Sequence, residues 1–148
     1  MEGRERTSRP AGARFLNEAG AAEKVTWRET LIRVLVVDDH PVVRRGIIQI
    51  LEGEPDMASV SEAANAGELM RLAAGGDWDV VVLDINLPDR SGMEVLRDLK
   101  ALRPDLPVLV LSMYPEDQYA LRALKAGASG YLTKESVTEE LVAAVRKA

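Results

Sequence analysis

Residues 80–96 read VVVLDINLPDRSGMEVL, and this stretch decides the fold. Val80–Leu83 is apolar at every position and ends abruptly on Asp84. A strand without a polar face belongs in a sheet covered on both sides. After a loop containing Pro88, apolar residues return at helical spacing over Gly92–Leu102, with Ser91 placed to cap that helix. Strand, loop and helix in this order make one βα unit.

The same alternation extends in both directions from Leu31 onward. Strand-like runs occupy Ile32–Val37, Ala58–Glu62, Val108–Leu111 and Gly130–Leu132. Helical patterns cover Pro41–Leu51, Ala66–Ala73, Glu116–Ala126 and Val137–Arg146. Pro41 suits the first turn of a helix, where its missing N–H would be unpaired anyway. Ser136 or Thr138 is placed to cap the last helix, and Gly127 follows the fourth where a left-handed residue is wanted. Five such units imply a parallel α/β sheet with helices on both faces, and such sheets bind ligands outside the carboxyl ends of their strands.

Composition narrows the function classes. The 148 residues suit one domain, here residues 31–148, behind an extension over residues 1–30. That extension is expected to be flexible, although Arg14–Thr30 has the makings of a short helix. It holds six Lys/Arg and five Asp/Glu, which leaves the remainder with 13 and 19 and a net charge of −6. A body this acidic is not expected to bind nucleic acid itself, because phosphate contacts need clustered Lys and Arg. No apolar run approaches the ~18–20 residues of a membrane span, and the start MEGRERTSRP does not read as a secretory signal. Zero cysteines exclude disulfides and thiolate metal sites, and fit the cytosol.

The chemistry gathers at the strand ends. Strand one closes on Asp38 and Asp39, strand three on Asp84, strand four on Ser112, and strand five runs into Lys134. Each alone reads equally well as an ordinary strand terminus or surface group, and Asp39 could cap the helix at Pro41 while also ligating a metal. Together they converge on one edge. Two carboxylates about 4 Å apart repel by roughly 4 kcal/mol at a surface-like dielectric. Three such groups are not neutralised by Lys134 alone, so a hard divalent ion with oxygen ligands, such as Mg²⁺, is the natural complement. An acidic cleft with a divalent ion and a lysine suits phosphoryl transfer to a carboxylate. His40, the single histidine, reads as a local packing group, since oxygen-rich magnesium sites seldom use imidazole.

With these residues in place, VLVVDDHPVVRRG, VVVLDINLPDRSGMEVL, VLVLSMY and AGASGYLTKE closely resemble the receiver domain of bacterial two-component response regulators, over Ile32–Ala148. The resemblance implies a flavodoxin-like (βα)5 three-layer sandwich with a five-stranded sheet of order 2-1-3-4-5, an order the chemotaxis member of that family exemplifies. It makes Asp84 the phosphoacceptor, phosphorylated by a sensor histidine kinase. It implies Mg²⁺ held by Asp39, Asp84 and the Asn86 backbone carbonyl, with Asp38 acting through water. Lys134 and Ser112 then serve the phosphoryl group, and Ser112 and Tyr131 the switch, although a strand tyrosine also reads as simple packing. Pro88 and Gly92 match the loop after the acceptor. Many receivers follow the lysine with proline, whereas Glu135 stands here. With DDHP in the first loop and GYLTKE in the fifth, the chain resembles the NarL/FixJ/LuxR-type branch. That branch implies a DNA-binding helix-turn-helix domain, expected beyond this chain, and dimerisation through the first and fifth helices. Stripes such as Val42, Arg45 and Gln49, or Leu141 and Val145, read either as core faces or as that dimer surface.

Three other readings stand beside it. A haloacid-dehalogenase-type hydrolase needs a second acid two residues after the nucleophile, where Asn86 stands. A phosphorylation-independent interaction module with this fold usually lacks one of the acids or the lysine, all kept here. A dinucleotide site lacks its G-x-G-x-x-G, and Asp38-Asp39-His40-Pro41 would repel a pyrophosphate. The sequence therefore reads as a signalling domain and not as an enzyme.

Overall fold

Alternation between apolar strands and amphipathic helices resolves, in a computed structural model, into β1 (Ile32–Val37), α1 (Pro41–Glu52), β2 (Met57–Ala63), α2 (Ala66–Gly75) and β3 (Val80–Asp84). These are followed by α3 (Gly92–Leu102), β4 (Val108–Ser112), α4 (Asp117–Lys125), β5 (Gly130–Thr133) and α5 (Val137–Lys147). The structure describes residues 14–16, 22–24, 31–113 and 117–148. Within the N-terminal extension, Arg14–Leu16 and Ala22–Lys24 pair as antiparallel strands. These six residues are therefore not helical, against the sequence expectation. Asn17 and Gly20 between the two runs are turn-forming types that disfavour a continuous helix.

The five strands of the main sheet are parallel in the order β2-β1-β3-β4-β5. Along β1 the side chains alternate between two cores. Leu35 and Val37 join Leu69, Leu83, Leu96, Leu99 and Val110, beneath α2, α3 and α4. Val34 and Val36 join Ile47, Leu51, Val82, Leu111, Leu141 and Val145, beneath α1 and α5. Both sheet faces are covered, so β3 and β4 are buried at every residue. The expected three-layer sandwich is present. Leu141 and Val145 belong to its core, while Val42 stands out from α1 at 85% exposure.

Helix termini follow the sequence only in part. Pro41 starts α1, and Gly127 has φ +110 after α4, as expected. The residue at the α1 cap position is His40, not Asp39, because Pro41 takes the first helical place. Ser91 and Ser136 occupy cap positions without a side-chain cap bond. Ser136 has helical dihedrals, which turn its hydroxyl away from the first-turn amides, and it donates to the Thr133 carbonyl at 3.1 Å instead. Glu116, expected in α4, lies outside the described residues.

One close approach fixes the loop after β3. A Cβ on Gly92 would lie 2.0 Å from the Ile85 carbonyl oxygen, whereas a Cβ on Gly46 in α1 would meet nothing. Gly92→Ala should therefore lower stability by about 1–3 kcal/mol as the loop is forced aside. Gly46→Ala should raise it by about 0.5–1 kcal/mol through helix propensity. Urea-unfolding midpoints of the two variants check both signs.

Candidate phosphoryl and metal site

The chain passes from β1 to β2 on one side and then returns to β3 on the other, so the loops after β1 and β3 diverge and open a crevice. The residues singled out at the strand ends meet there. Asp38 follows β1, Asp84 is the last residue of β3, Ser112 the last of β4, and Lys134 follows β5. Asp38, Asp84 and Ser112 are completely buried. The Lys134 ammonium lies 3.1 Å from Asp84 Oδ2 and 3.5 Å from Asp38 Oδ2, bridging the two.

Backbone amides satisfy part of the negative charge. The Asn86 N–H donates to Asp84 Oδ1 at 3.0 Å, and the His40 N–H donates to Asp38 Oδ1 at 2.8 Å. Among the described residues, two buried side-chain atoms accept no hydrogen bond, Asp38 Oδ2 and Asp39 Oδ1. Ligand atoms of Asp38, Asp39, His40 and Asp84 all fall within 4.8 Å of one another. Burial pushes the Asp84 carboxyl above its ordinary value of 3.8. Asp38 adds to the rise, against the opposing pull of the Asn86 amide and Lys134. Clustered oxygens, orphaned acceptors and a single ammonium fit a hard divalent cation. An open cleft of about 500 Å³ adjoins the cluster, lined by Asp39 and the loop from Ile85 to Gly92.

Two supports of this arrangement escape sequence reading. The Arg44 guanidinium, on α1, donates to the Asp38 carbonyl and to Glu62 Oε1 and so pins the β1–α1 loop. Asp89 accepts from the Ala66 and Gly67 amides at 3.0 and 3.2 Å, capping α2 from the loop after β3. The Ala66 bond is the foremost cause holding the Asp89 carboxyl below its ordinary value. Asn65 caps the same helix through the Glu68 amide, a signal visible in Asn65-x-x-Glu68. The Asp89 contact spans more than 20 residues and has no local signature. On the β4–β5 side, Tyr131 is half-buried against the core beneath α2, α3 and α4. The Lys134 N–H donates to the Ser112 carbonyl at 2.8 Å.

Residues 34–146 match the response regulator receiver domain family. The DNA-binding transcriptional activator DevR/DosR of Mycobacterium tuberculosis is 43% identical over 116 residues, which are 78% of this chain and 54% of that protein. A LuxR-family two-component response regulator from Aurantimonas superposes with a TM-score of 0.75 at 41% identity, covering 79% of this chain and 84% of that one. The response regulator TrrA from Thermotoga maritima, solved in complex with Mg²⁺ and BeF, gives 0.70 at 31% identity, covering 79% and 98%. This chain spans about half the length of the curated relatives it matches.

A raised Asp84 carboxyl has a thermodynamic consequence. The native protein holds that proton more tightly than the unfolded chain, so the ionised group opposes folding above the native pKa and ceases to do so below 3.8. Without divalent ions, Asp84→Asn should unfold at a higher temperature than the parent at pH 7. The gain should shrink as the pH falls through the raised pKa of Asp84 toward 3.8. Added Mg²⁺ should stabilise the parent more than the variant, and thermal melts across pH with and without Mg²⁺ test all three statements.

Proposed function

The chain belongs to the response regulator receiver family, in its NarL/LuxR-type branch, and from that premise we propose that Asp84 accepts a phosphoryl group from a sensor histidine kinase or a small phosphodonor. The observation carrying this reading is the Asp84 carboxylate itself: buried at a strand end and held between the Asn86 amide and the Lys134 ammonium. A carboxylate so fixed is oriented for in-line attack, with little rotational freedom left to lose. A new P–O bond forms to Asp84 as the P–N bond of phosphohistidine, or the P–O bond of an acyl phosphate, breaks. The electron pair leaves with the donor.

Mg²⁺ would be held here by Asp39, Asp84 and the Asn86 backbone carbonyl, with Asp38 acting through water. When bound, it neutralises charge on the transferred group. Lys134 would pair with the phosphoryl oxygens. Ser112, buried at the end of β4, donates to the same group, and Tyr131 adjusts its packing in response. The modification thereby biases two packings of α4 and β5.

The receiver spans residues 31–148, with residues 1–30 an accessory extension. As a signalling domain it promotes only its own phosphorylation and dephosphorylation. Where a C-terminal helix-turn-helix domain is joined to the receiver, this switch would govern dimerisation through α1 and α5 and DNA binding by that domain. Exposed Val42, Arg45 and Gln49 on α1 suit the dimer role, and Leu141 and Val145 do not. No helix among the described residues is long and apolar enough to cross a membrane, and a cytosolic location follows from the kinase partnership.

Incubation with acetyl phosphate and Mg²⁺ should add one phosphoryl group, about 80 Da by intact mass, trapped by borohydride reduction at residue 84. Asp84→Asn should abolish it, and omission of Mg²⁺ should suppress it. Lys134→Ala should slow it by on the order of 10²-fold or more, as loss of a preorganised charge does. Unchanged labelling of Asp84→Asn would overturn the assignment. A correctly folded parent chain that takes no label would favour a phosphorylation-independent interaction module.

A further inference from the structure

His40 takes no part in the reading above, yet its ring is built into the acidic cleft. Its Nδ1 lies 3.1 Å from Asp39 Oδ1 and 3.2 Å from Asp38 Oδ1. A ring nitrogen carries one proton or one lone pair, so a single N–H serves two such acceptors poorly. A metal ion serves both. Around an ion with bonds of about 2.1 Å, neighbouring ligand atoms of an octahedron lie about 3.0 Å apart, close to both separations.

A second observation points to a missing ligand. Asp38 is completely buried, and its Oδ2 accepts no hydrogen bond and faces only the Lys134 ammonium at 3.5 Å; the buried Asp39 Oδ1 accepts none either and faces the His40 ring. We propose that His40 Nδ1, with Asp39 and its neighbouring carboxylates, gives this cleft a nitrogen-containing ligand set that takes borderline transition ions such as Cu²⁺ or Ni²⁺, in competition with Mg²⁺. Mg²⁺ gains little from imidazole, whereas affinity of nitrogen ligands rises steeply along the first-row series to Cu²⁺. His40 thus sets which metal the cleft prefers and contributes little to Mg²⁺. The inference rests on the cation-binding reading of the cleft, and not on phosphoryl transfer to Asp84.

The chain contains one histidine, so any imidazole signal on a bound ion reports His40 alone. Tag-free full chain loaded with one equivalent of Cu²⁺ should show imidazole nitrogen modulation in pulsed electron paramagnetic resonance. His40→Asn should lose it, and Asp39→Asn should weaken it. In competition titrations, His40→Asn should lower Ni²⁺ and Cu²⁺ affinity at least about tenfold while Mg²⁺ affinity changes less than about twofold. His40 lies on an exposed loop, with its side chain 56% accessible, so the variant is expected to fold, and circular dichroism checks it. Absence of the modulation in the parent overturns the proposal. So does undiminished modulation in Asp39→Asn, which would place the ion elsewhere, or an equal loss of Mg²⁺ and Ni²⁺ affinity in His40→Asn. Failure of acetyl phosphate to label Asp84 while the imidazole signal persists would count against the phosphoacceptor assignment alone.

Discussion

Everything at the carboxyl edge of the sheet depends on one unresolved electrostatic problem. Asp38 and Asp84 are both completely buried and share the Lys134 ammonium, at 3.5 and 3.1 Å. Asp39 stands beside them with a buried oxygen that accepts no hydrogen bond. Removing a carboxylate from water costs several kcal/mol even after relaxation, and one cation cannot offset three anions. Backbone amides of His40 and Asn86 relieve two oxygens, while Asp38 Oδ2 and Asp39 Oδ1 accept no hydrogen bond. A protein selected for stability alone would have no use for this arrangement. It makes sense as a standing demand for positive charge.

The rest of the fold absorbs that cost. Beneath the acids, Val34–Val37 of β1, Val80–Leu83 of β3 and Val108–Leu111 of β4 are apolar on both faces, and helices cover both sides, so the sheet gains burial where the site loses solvation. The loops carrying the acids are anchored at a distance from them. Arg44 holds the Asp38 carbonyl from α1. Asp89 holds the amino end of α2 from the β3–α3 loop, and Gly92 lets that loop pack against Ile85. Repulsion among the acids therefore cannot relax by spreading the loops. It stays available to whatever cation enters.

How far this was legible in the sequence varies with the range of the interaction. Val80–Asp84 declares a two-face-covered strand because every residue obeys the same burial constraint, and the five strand-end residues follow from the same rule. Helix spacing is equally local. Caps are less so: Ser136 looks like a capping residue in any sequence table, and only its backbone dihedrals turn its hydroxyl to Thr133. Asp39 could not be distinguished from His40 as the start of α1 until Pro41 was placed. Arg44 and Asp89 act on groups distant in sequence, and nothing in their neighbours announces it. In the sequence His40 is an imidazole that magnesium does not need, and only its two short separations, from Asp38 and Asp39, give it a larger part.

The same geometry determines where a change of charge at Asp84 is felt. Among the described residues, Lys134 is the cation touching Asp84 through its side chain, and its backbone N–H is bonded to the Ser112 carbonyl at the end of β4. One residue therefore joins the acid to the seam between β4 and β5. The two sides of that seam differ in firmness. β4 is buried at every position, while β5 is an edge strand of four residues in which only Leu132 is buried. Displacing Lys134 against β4 would disturb a packed core, and displacing it with β5 would disturb half-buried Tyr131 and the surface beside it. Strain follows the softer route, since poorly buried elements open at the lowest free energy. An acid at the centre of the sheet is in this way connected to its exposed edge by a single side chain and one backbone hydrogen bond.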